Sequence, residues 1–177
     1  MQAVVVYESL WGNTAAVARA IAEGLGPEAR ALTTDEATDT VVAEADLIVA
    51  GAPVIAFGLA SERSRAGIAR GEADAPTPPD VSHPSLRAWL EGLPAGHGPA
   101  AAFETRIWWT PRGATGTIER GLRKAGYAPV AHAARFVVEG KYGPLREGEL
   151  DRARAWGRQV AAAAGVATPA HEPAIPV

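Results

Sequence analysis

Short apolar runs alternate along this chain with longer stretches in which apolar residues recur at helical spacing. The first run, Ala3–Tyr7, is rich in β-branched residues and predicts a strand. In the stretch that follows, Val17, Ala20, Ile21 and Leu25 fall on one helical face. Further apolar runs predict strands near residues 29–32, 46–50, 100–103 and 135–138. This alternation is typical of an α/β fold with a doubly wound, five-stranded parallel sheet in a single domain.

The same periodicity predicts three further helices, and the proline content of the C-terminal residues predicts the domain limit. Helices are expected near residues 35–43, 86–93 and 150–164. Residues 61–84 are less regular, because glycines and prolines interrupt any long helix, and they form either a functional lid or a surface insertion. Residues 1–165 are expected to form the domain, and residues 166–177 a proline-containing flexible tail.

A polar loop joins the first strand to the first helix. A helix N-terminus presents free backbone N–H groups, which stabilise a bound anion such as a phosphate. Ser9 and Thr14 can each donate a hydroxyl hydrogen to that anion, and Gly12 lets the backbone approach it closely. The alternative is that these hydroxyls cap the helix, a common role of serine and threonine.

The pattern Ser9-x-x-Gly12-Asn13-Thr14 after a first strand resembles the phosphate loop of flavodoxins, usually written T/S-x-T-G-x-T/S. Three later segments fit the same family in the same order, which makes the chain similar to small bacterial flavodoxin-domain proteins over about residues 1–165. These segments are Gly51-Ala52-Pro53, Phe103-Glu104-Thr105-Arg106 and Gly140-x-x-Gly143-Pro144-Leu145-x-x-Gly148-Glu149-Leu150. The resemblance implies a flavodoxin-like fold with FMN as the cofactor.

Ligands of doubly wound sheets bind beyond the carboxyl ends of the strands, near the topological switch point. Loops 8–14, 52–60 and 104–116 are expected to meet there and to hold the FMN phosphate and ring. The residues expected to bind the cofactor are Ser9, Leu10, Trp11, Gly12, Asn13, Thr14, Ala52, Pro53, Val54, Ile55, Phe57, Gly58, Thr105, Arg106, Trp108, Trp109 and Gly113. The sequence assigns no catalytic residue, and no histidine pair has the spacing of a metal site.

Aromatic and apolar side chains are the predicted walls of the flavin ring. Phe57 or Ile55 would face the ring from one loop, and in flavodoxins the loop after the fourth strand commonly stacks an aromatic residue on it. Trp108 or Trp109 suits that role; the alternative is packing on neighbouring helices or on a second copy of the chain in a homodimer. Arg106 more often marks a salt bridge, although it also suits an anionic substrate.

Three positions depart from the family pattern. Trp11 replaces the middle hydroxyl of the phosphate loop, and Val54 and Ile55 stand where similar proteins often carry Thr and His. These changes keep open the hypothesis of a flavodoxin fold that has lost FMN and serves as a cofactor-free enzyme or binding module.

Composition narrows the function further. The absence of cysteine excludes disulfides and thiol nucleophiles, and a net charge of −3 gives no support to a nucleic-acid partner. No apolar run is long enough for a membrane span, and without a basic leader the expected location is cytoplasmic. Electron-carrier flavodoxins tend to be strongly acidic, since charge steers them to a redox protein, and this chain is not. The preferred hypothesis is therefore an FMN-dependent oxidoreductase with a small planar, quinone-like electron acceptor, and a carrier flavodoxin is the second alternative.

Overall fold

A mixed, mostly parallel sheet forms the centre of the molecule in a computed structural model, which describes residues 1–71 and 74–167. The strands run parallel in the order β2-β1-β3-β5, and β6 and β7 both pair with the outer side of β5. The short β4 pairs with β3 in antiparallel orientation. The strands are β1 (Ala3–Tyr7), β2 (Ala29–Thr33), β3 (Leu47–Ile55), β4 (Gly58–Leu59), β5 (Gly98–Ile107), β6 (Tyr127–Pro129) and β7 (Ala134–Val138).

Helices cover both faces of this sheet, as the strand–helix alternation predicts. The first and last helices pack together on one face, and the others with core residues lie on the opposite face. The helices are α1 (Asn13–Leu25), α2 (Asp39–Ala43), α3 (Glu62–Ala69), α4 (Leu86–Gly92), α5 (Thr115–Lys124) and α6 (Glu149–Ala167). Within the described part of the chain, no helix has the length and hydropathy that crossing a membrane requires.

Two apolar clusters hold the layers together, one on each side of the sheet. Each central strand contributes to both clusters, because successive side chains of a strand point to opposite faces of the sheet. In β1, Val5 packs in the cluster with α1 and α6, and Val4 and Val6 pack in the other. The α1 and α6 side contains an aromatic group in which the Phe103 and Phe136 rings lie 6.2 Å apart at 71°. Burial on both faces explains why the central strands read as continuous apolar runs.

The predicted doubly wound architecture and its five core strands are confirmed, with two short strands added. Several element limits differ from the sequence expectation. Strand β3 continues to Ile55 and turns into a hairpin with β4, where a loop was expected over residues 52–60. Strand β5 continues to Ile107, because β7 pairs with it up to that residue, so Thr105 and Arg106 are strand residues.

The helix limits differ for local reasons. The helix expected over 35–43 begins at Asp39, where the Thr38 hydroxyl accepts a hydrogen bond from the Val41 N–H. Helix α3 forms within the stretch expected to be irregular, because Ser61 and Ser64 make a reciprocal capping box at its start. Helix α6 extends to Ala167, and the rest of the predicted tail, residues 168–177, lies outside the described residues.

Candidate functional site

A cleft of about 240 Å³ lies at the carboxyl ends of β1, β3, β5 and β7. The structure brings ten of the predicted residues to its wall: Ser9, Leu10, Trp11, Asn13, Thr14, Pro53, Val54, Ile55, Thr105 and Arg106. Five further residues complete the lining: Ala56, Ile68, Ile107, Val138 and Lys141. Residues from all three predicted segments therefore line one cleft, with β3 and β5 supplying strand ends where loops were expected. Helix α3 and the segment after β7 join them.

The loop between β1 and α1 leaves hydrogen-bond donors free at this cleft. Gly12 directly precedes α1 with φ at 85°, a left-handed conformation that favours glycine, and no side chain of the described residues caps the helix. Neither Ser9 nor Thr14 therefore acts as the helix cap. The Ser9 hydroxyl oxygen is buried, and no hydrogen-bond partner for it exists among the described residues. A buried hydroxyl without a partner is costly, and the first N–H groups of α1 attract an anion, so both features suit a phosphate.

Thr14 meets a second hydroxyl across the cleft. Its Oγ1 lies 2.7 Å from Oγ1 of Thr105, and both residues are buried. In such a pair one oxygen accepts, and the hydroxyl that accepts keeps its own hydrogen for a third group. The pair ties the first turn of α1 to β5 and leaves one hydroxyl hydrogen for a ligand.

The end of β3 supplies an apolar wall. Pro53, Val54 and Ile55 line the cleft, and their partial burial leaves apolar surface for a ring to cover. The hairpin turn that follows has positive φ at Ala56 and Phe57, 47° and 69°, which puts the Phe57 side chain at the tip with 51% of its surface exposed. Of the other residues predicted here, Gly58 lies in β4 and Ala52 is buried in the core, away from the cleft lining.

The segment after β5 is held by Glu104, whose side chain is fully buried. Its carboxylate accepts hydrogen bonds from the N–H groups of Ala114, at 2.6 Å, and Thr115, at 3.0 Å. Arg106 donates to the same carboxylate at 3.0 Å, so the salt bridge expected of Arg106 is present while the residue lines the cleft. Gly113 passes so close to Glu104 that an added Cβ would lie 2.3 Å from its Oε2.

The two tryptophans of this segment lie outside the cleft lining. Trp108 is 68% exposed and Trp109 is 55% exposed. Neither belongs to the buried core, and packing on neighbouring helices or on a second copy of the chain stays the alternative for both. Stacking on a bound ring stays a prediction for them.

Sequence reasoning missed a buried ion pair beneath the loop. Glu8 Oε1 lies 3.0 Å from Nε of Arg65, and Glu8 Oε2 accepts from the Leu86 N–H at 2.9 Å. Burial raises the pKa of the Glu8 carboxyl, although the Leu86 N–H and the Arg65 guanidinium oppose that rise. The signal in the sequence was an acidic residue directly after an apolar strand, with its partner 57 positions away.

The segment after β7 was also missed as a part of the site. Asn13 donates from Nδ2 to the Tyr142 carbonyl at 2.9 Å, and the Trp11 and Tyr142 rings meet edge to face with centroids 4.9 Å apart. The glycine-spaced motif over residues 140–150 was the signal for this segment. Its contacts bridge well over a hundred residues of sequence, which local patterns do not encode.

Comparison with solved structures decides the fold. No protein-family model and no curated protein matches this sequence significantly. A flavodoxin from the domain Archaea superposes with a TM-score of 0.66 at 18% identity, covering 93% of this chain and 99% of that one. This chain has the flavodoxin fold.

Two further flavodoxin structures agree with this assignment. A WrbA-like flavodoxin from Agrobacterium tumefaciens gives a TM-score of 0.63 at 21% identity, with 94% of this chain and 98% of that chain covered. Oxidised flavodoxin 1 from Bacillus cereus gives 0.63 at 14% identity, with coverage of 90% and 97%. Since these matches span almost the whole of each chain, the fold includes the strands that border the cleft.

Proposed function

We propose that the cleft binds FMN and that the protein passes electrons from the bound flavin to a small planar, quinone-like acceptor. The observation that carries this proposal is the buried Ser9 hydroxyl, which has no hydrogen-bond partner in the part of the chain that the structure describes, next to the N-terminus of α1. A phosphate satisfies both, because its oxygens accept hydrogen bonds and its charge complements the helix dipole. The flavodoxin fold supports the choice of FMN over other phosphorylated ligands.

The residues around the cleft have separable tasks in this proposal. Ser9, the first N–H groups of α1 and the free hydrogen of the Thr14–Thr105 pair would hold the phosphate. Pro53, Ile55 and Ile107 would cover part of the ring and keep water from it. When bound, FMN supplies the electron-transfer chemistry.

The size of the cleft supports direct contact between the ring and an acceptor. Its volume of about 240 Å³ lies below the roughly 300–1,000 Å³ of sites that bury a drug-sized ligand. Part of the flavin would therefore stay exposed at the surface. Solved structures of the same fold include an oxidised flavodoxin and a two-electron-reduced flavodoxin, which supports redox chemistry for this fold.

Charge distinguishes a small acceptor from a protein partner. Among the described residues, the cleft lining contains two basic side chains and no carboxylate. Arg106 is already paired with the buried Glu104, so Lys141 is the cation that faces the cleft. Cations beside the flavin favour an acceptor that gains negative charge on reduction, as a quinone does. The net charge of −3 offers little long-range steering toward a redox protein.

One observation favours a second candidate, a cofactor-free enzyme or binding module on the same fold. Trp11 and Asn13, two residues of the phosphate-loop pattern, have side chains that hydrogen-bond to backbone carbonyls of this chain. Their indole and amide groups are therefore engaged within the protein. A module of this kind would bind an anion at Ser9 without retaining a flavin.

Oxidation of the reduced flavoprotein by a panel of quinones tests the proposal. We expect a rate that saturates with quinone concentration and changes little between low and high salt, because no charge steering is needed. Free reduced FMN at the same concentration is the control, and its rate should not saturate. An unsaturable rate equal to the control would refute the proposed acceptor, and a salt-sensitive reaction with a redox protein would instead identify a carrier.

A further inference from the structure

The segment between β7 and α6 is built against the phosphate loop. The Asn13 amide donates to the Tyr142 carbonyl, and the Trp11 ring packs edge to face on the Tyr142 ring. Gly143 has φ at 106°, and a Cβ on it would lie 2.6 Å from Oδ1 of Asn13. No larger residue fits there without displacing Asn13, so the two segments are matched in shape.

This docking brings a cation to the cleft. Lys141 precedes Tyr142, its Nζ lies 5.5 Å from the centroid of the Tyr142 ring, and it lines the cleft that Ser9 and Thr14 also line. The residue is exposed, and its long stem gives the ammonium group reach toward the part of the cleft that Ser9 lines. The chain has two lysines, and the other, Lys124, ends α5.

Trp11, which replaces a hydroxyl donor of the phosphate-loop pattern, is engaged within the protein. Trp11 stands at the middle hydroxyl position of the phosphate-loop pattern, and its indole N–H donates to the Thr77 carbonyl at 3.3 Å. The Trp11 side chain therefore offers no donor to a phosphate. The partner of its ring, Tyr142, is the neighbour of the cation at the cleft.

We propose that Lys141 binds the phosphate of the ligand held by the β1–α1 loop and takes the place of the missing hydroxyl. This inference rests on the proposed function, because it treats the phosphate as that of FMN. An ammonium group forms charge-assisted hydrogen bonds to phosphate, which are stronger than a neutral hydroxyl contact. Lys141 thereby makes the cleft selective for FMN over riboflavin, which shares the ring and lacks the phosphate.

Affinities for FMN and riboflavin, measured by quenching of flavin fluorescence, test this inference. Lys141→Ala should weaken FMN binding about tenfold or more and leave riboflavin binding unchanged. Lys141→Arg should restore most of the FMN affinity. Lys124→Ala is the matched control and should change neither affinity.

Two results would overturn the inference while leaving the proposed function intact. These are an unchanged FMN affinity in Lys141→Ala, or an equal loss of FMN and riboflavin affinity, which would place Lys141 against the ring. Failure of the wild type to bind either flavin would instead refute the proposed function. In that case, titration with inorganic phosphate, followed by ³¹P NMR, decides the role of Lys141: weaker phosphate binding in Lys141→Ala supports it, and equal binding refutes it.

Discussion

The Thr14 hydroxyl lies 2.7 Å from the Thr105 hydroxyl, in a buried contact between the first turn of α1 and β5. The two residues are 91 positions apart, and their pairing fixes the β1–α1 loop to the strand that borders the proposed ring site. Order in this loop therefore depends on a distant strand as well as on its own sequence.

Thr105→Val should destabilise the fold by about 1–2 kcal/mol, because the shape is kept while the Thr14 hydroxyl loses a buried partner. Thr105→Ser, which retains the hydroxyl, should reduce the free energy of unfolding by less. Urea denaturation of the three proteins measures the difference. Equal midpoints and slopes for wild type and Thr105→Val would show that the hydroxyl pair contributes nothing to stability.

The approach of Gly113 to Glu104 predicts a steric effect. In Gly113→Ala the new Cβ would lie 2.3 Å from a carboxylate oxygen that also holds the Ala114 and Thr115 N–H groups. Because that carboxylate is fully buried, we expect a loss of about 1–3 kcal/mol in the free energy of unfolding.

Gly116 provides the matched control. A Cβ added there meets nothing within 4 Å, and the residue lies within α5. Gly116→Ala should raise the free energy of unfolding by up to about 1 kcal/mol, since alanine favours the helix. If both substitutions had the same effect, the contact between Gly113 and Glu104 would not be the cause.

The raised pKa of Glu8 predicts a pH dependence of stability. The folded protein holds the Glu8 proton to a higher pH than the unfolded chain, in which the carboxyl titrates near 4.5. The Glu8 contribution to stability is therefore greatest below that pH, declines as pH rises through the folded-state pKa, and then levels off.

Glu8→Gln isolates this contribution, because glutamine does not titrate. We expect the stability of the wild type, minus that of Glu8→Gln, to decrease as pH rises above 4.5 and then become constant. Denaturation of both proteins over a pH series measures this difference in stability. A difference that grows with pH would mean that the ion pair with Arg65 outweighs burial.

The exposed tryptophans distinguish acceptor binding from fold stability. Trp108→Ala and Trp109→Ala should leave the melting temperature nearly unchanged, since both side chains are more than half exposed. If either stacks on the acceptor, its loss should raise the quinone KM about threefold to tenfold, equivalent to about 0.5–1.5 kcal/mol of stacking. Leu150→Ala, at another exposed apolar residue, is the control. An unchanged KM in both tryptophan variants would remove them from the acceptor site.

Local sequence patterns predicted the parts of the site that depend on neighbouring residues. The apolar run of β1, Gly12 and the helical face of α1 place the β1–α1 loop, because strand, turn and helix are each encoded within a few residues. Strand alternation explains Ala52, which was predicted in the cleft and faces the core. Residue 52 was expected in a loop, but β3 continues to Ile55 and pairs with β4 there. Ala52 is therefore a strand residue, and its side chain lies on the core side of the sheet.

Residues joined only by tertiary contacts were not predictable in this way. Glu8 with Arg65, and Asn13 with the Tyr142 carbonyl, meet across many residues of sequence. The contact between Asn13 and Tyr142 holds the segment after β7 against the cleft, and this brings Lys141 to the cleft lining. A periodic pattern reports which face of an element is buried, but it does not report which distant loop covers that element.

Titration of the purified protein with FMN, followed by fluorescence quenching, tests the central claim most directly. We expect saturable binding by the wild type, and binding weaker by about 2–4 kcal/mol in the Ser9→Ala/Thr14→Ala variant, because the Ser9 hydroxyl and the Thr14–Thr105 pair would each lose a hydrogen bond to the charged phosphate. Riboflavin binding should be the same for both proteins. The absence of FMN binding by the wild type, or an unchanged FMN affinity in the double variant, would contradict a phosphate site at the Ser9 hydroxyl and the start of α1.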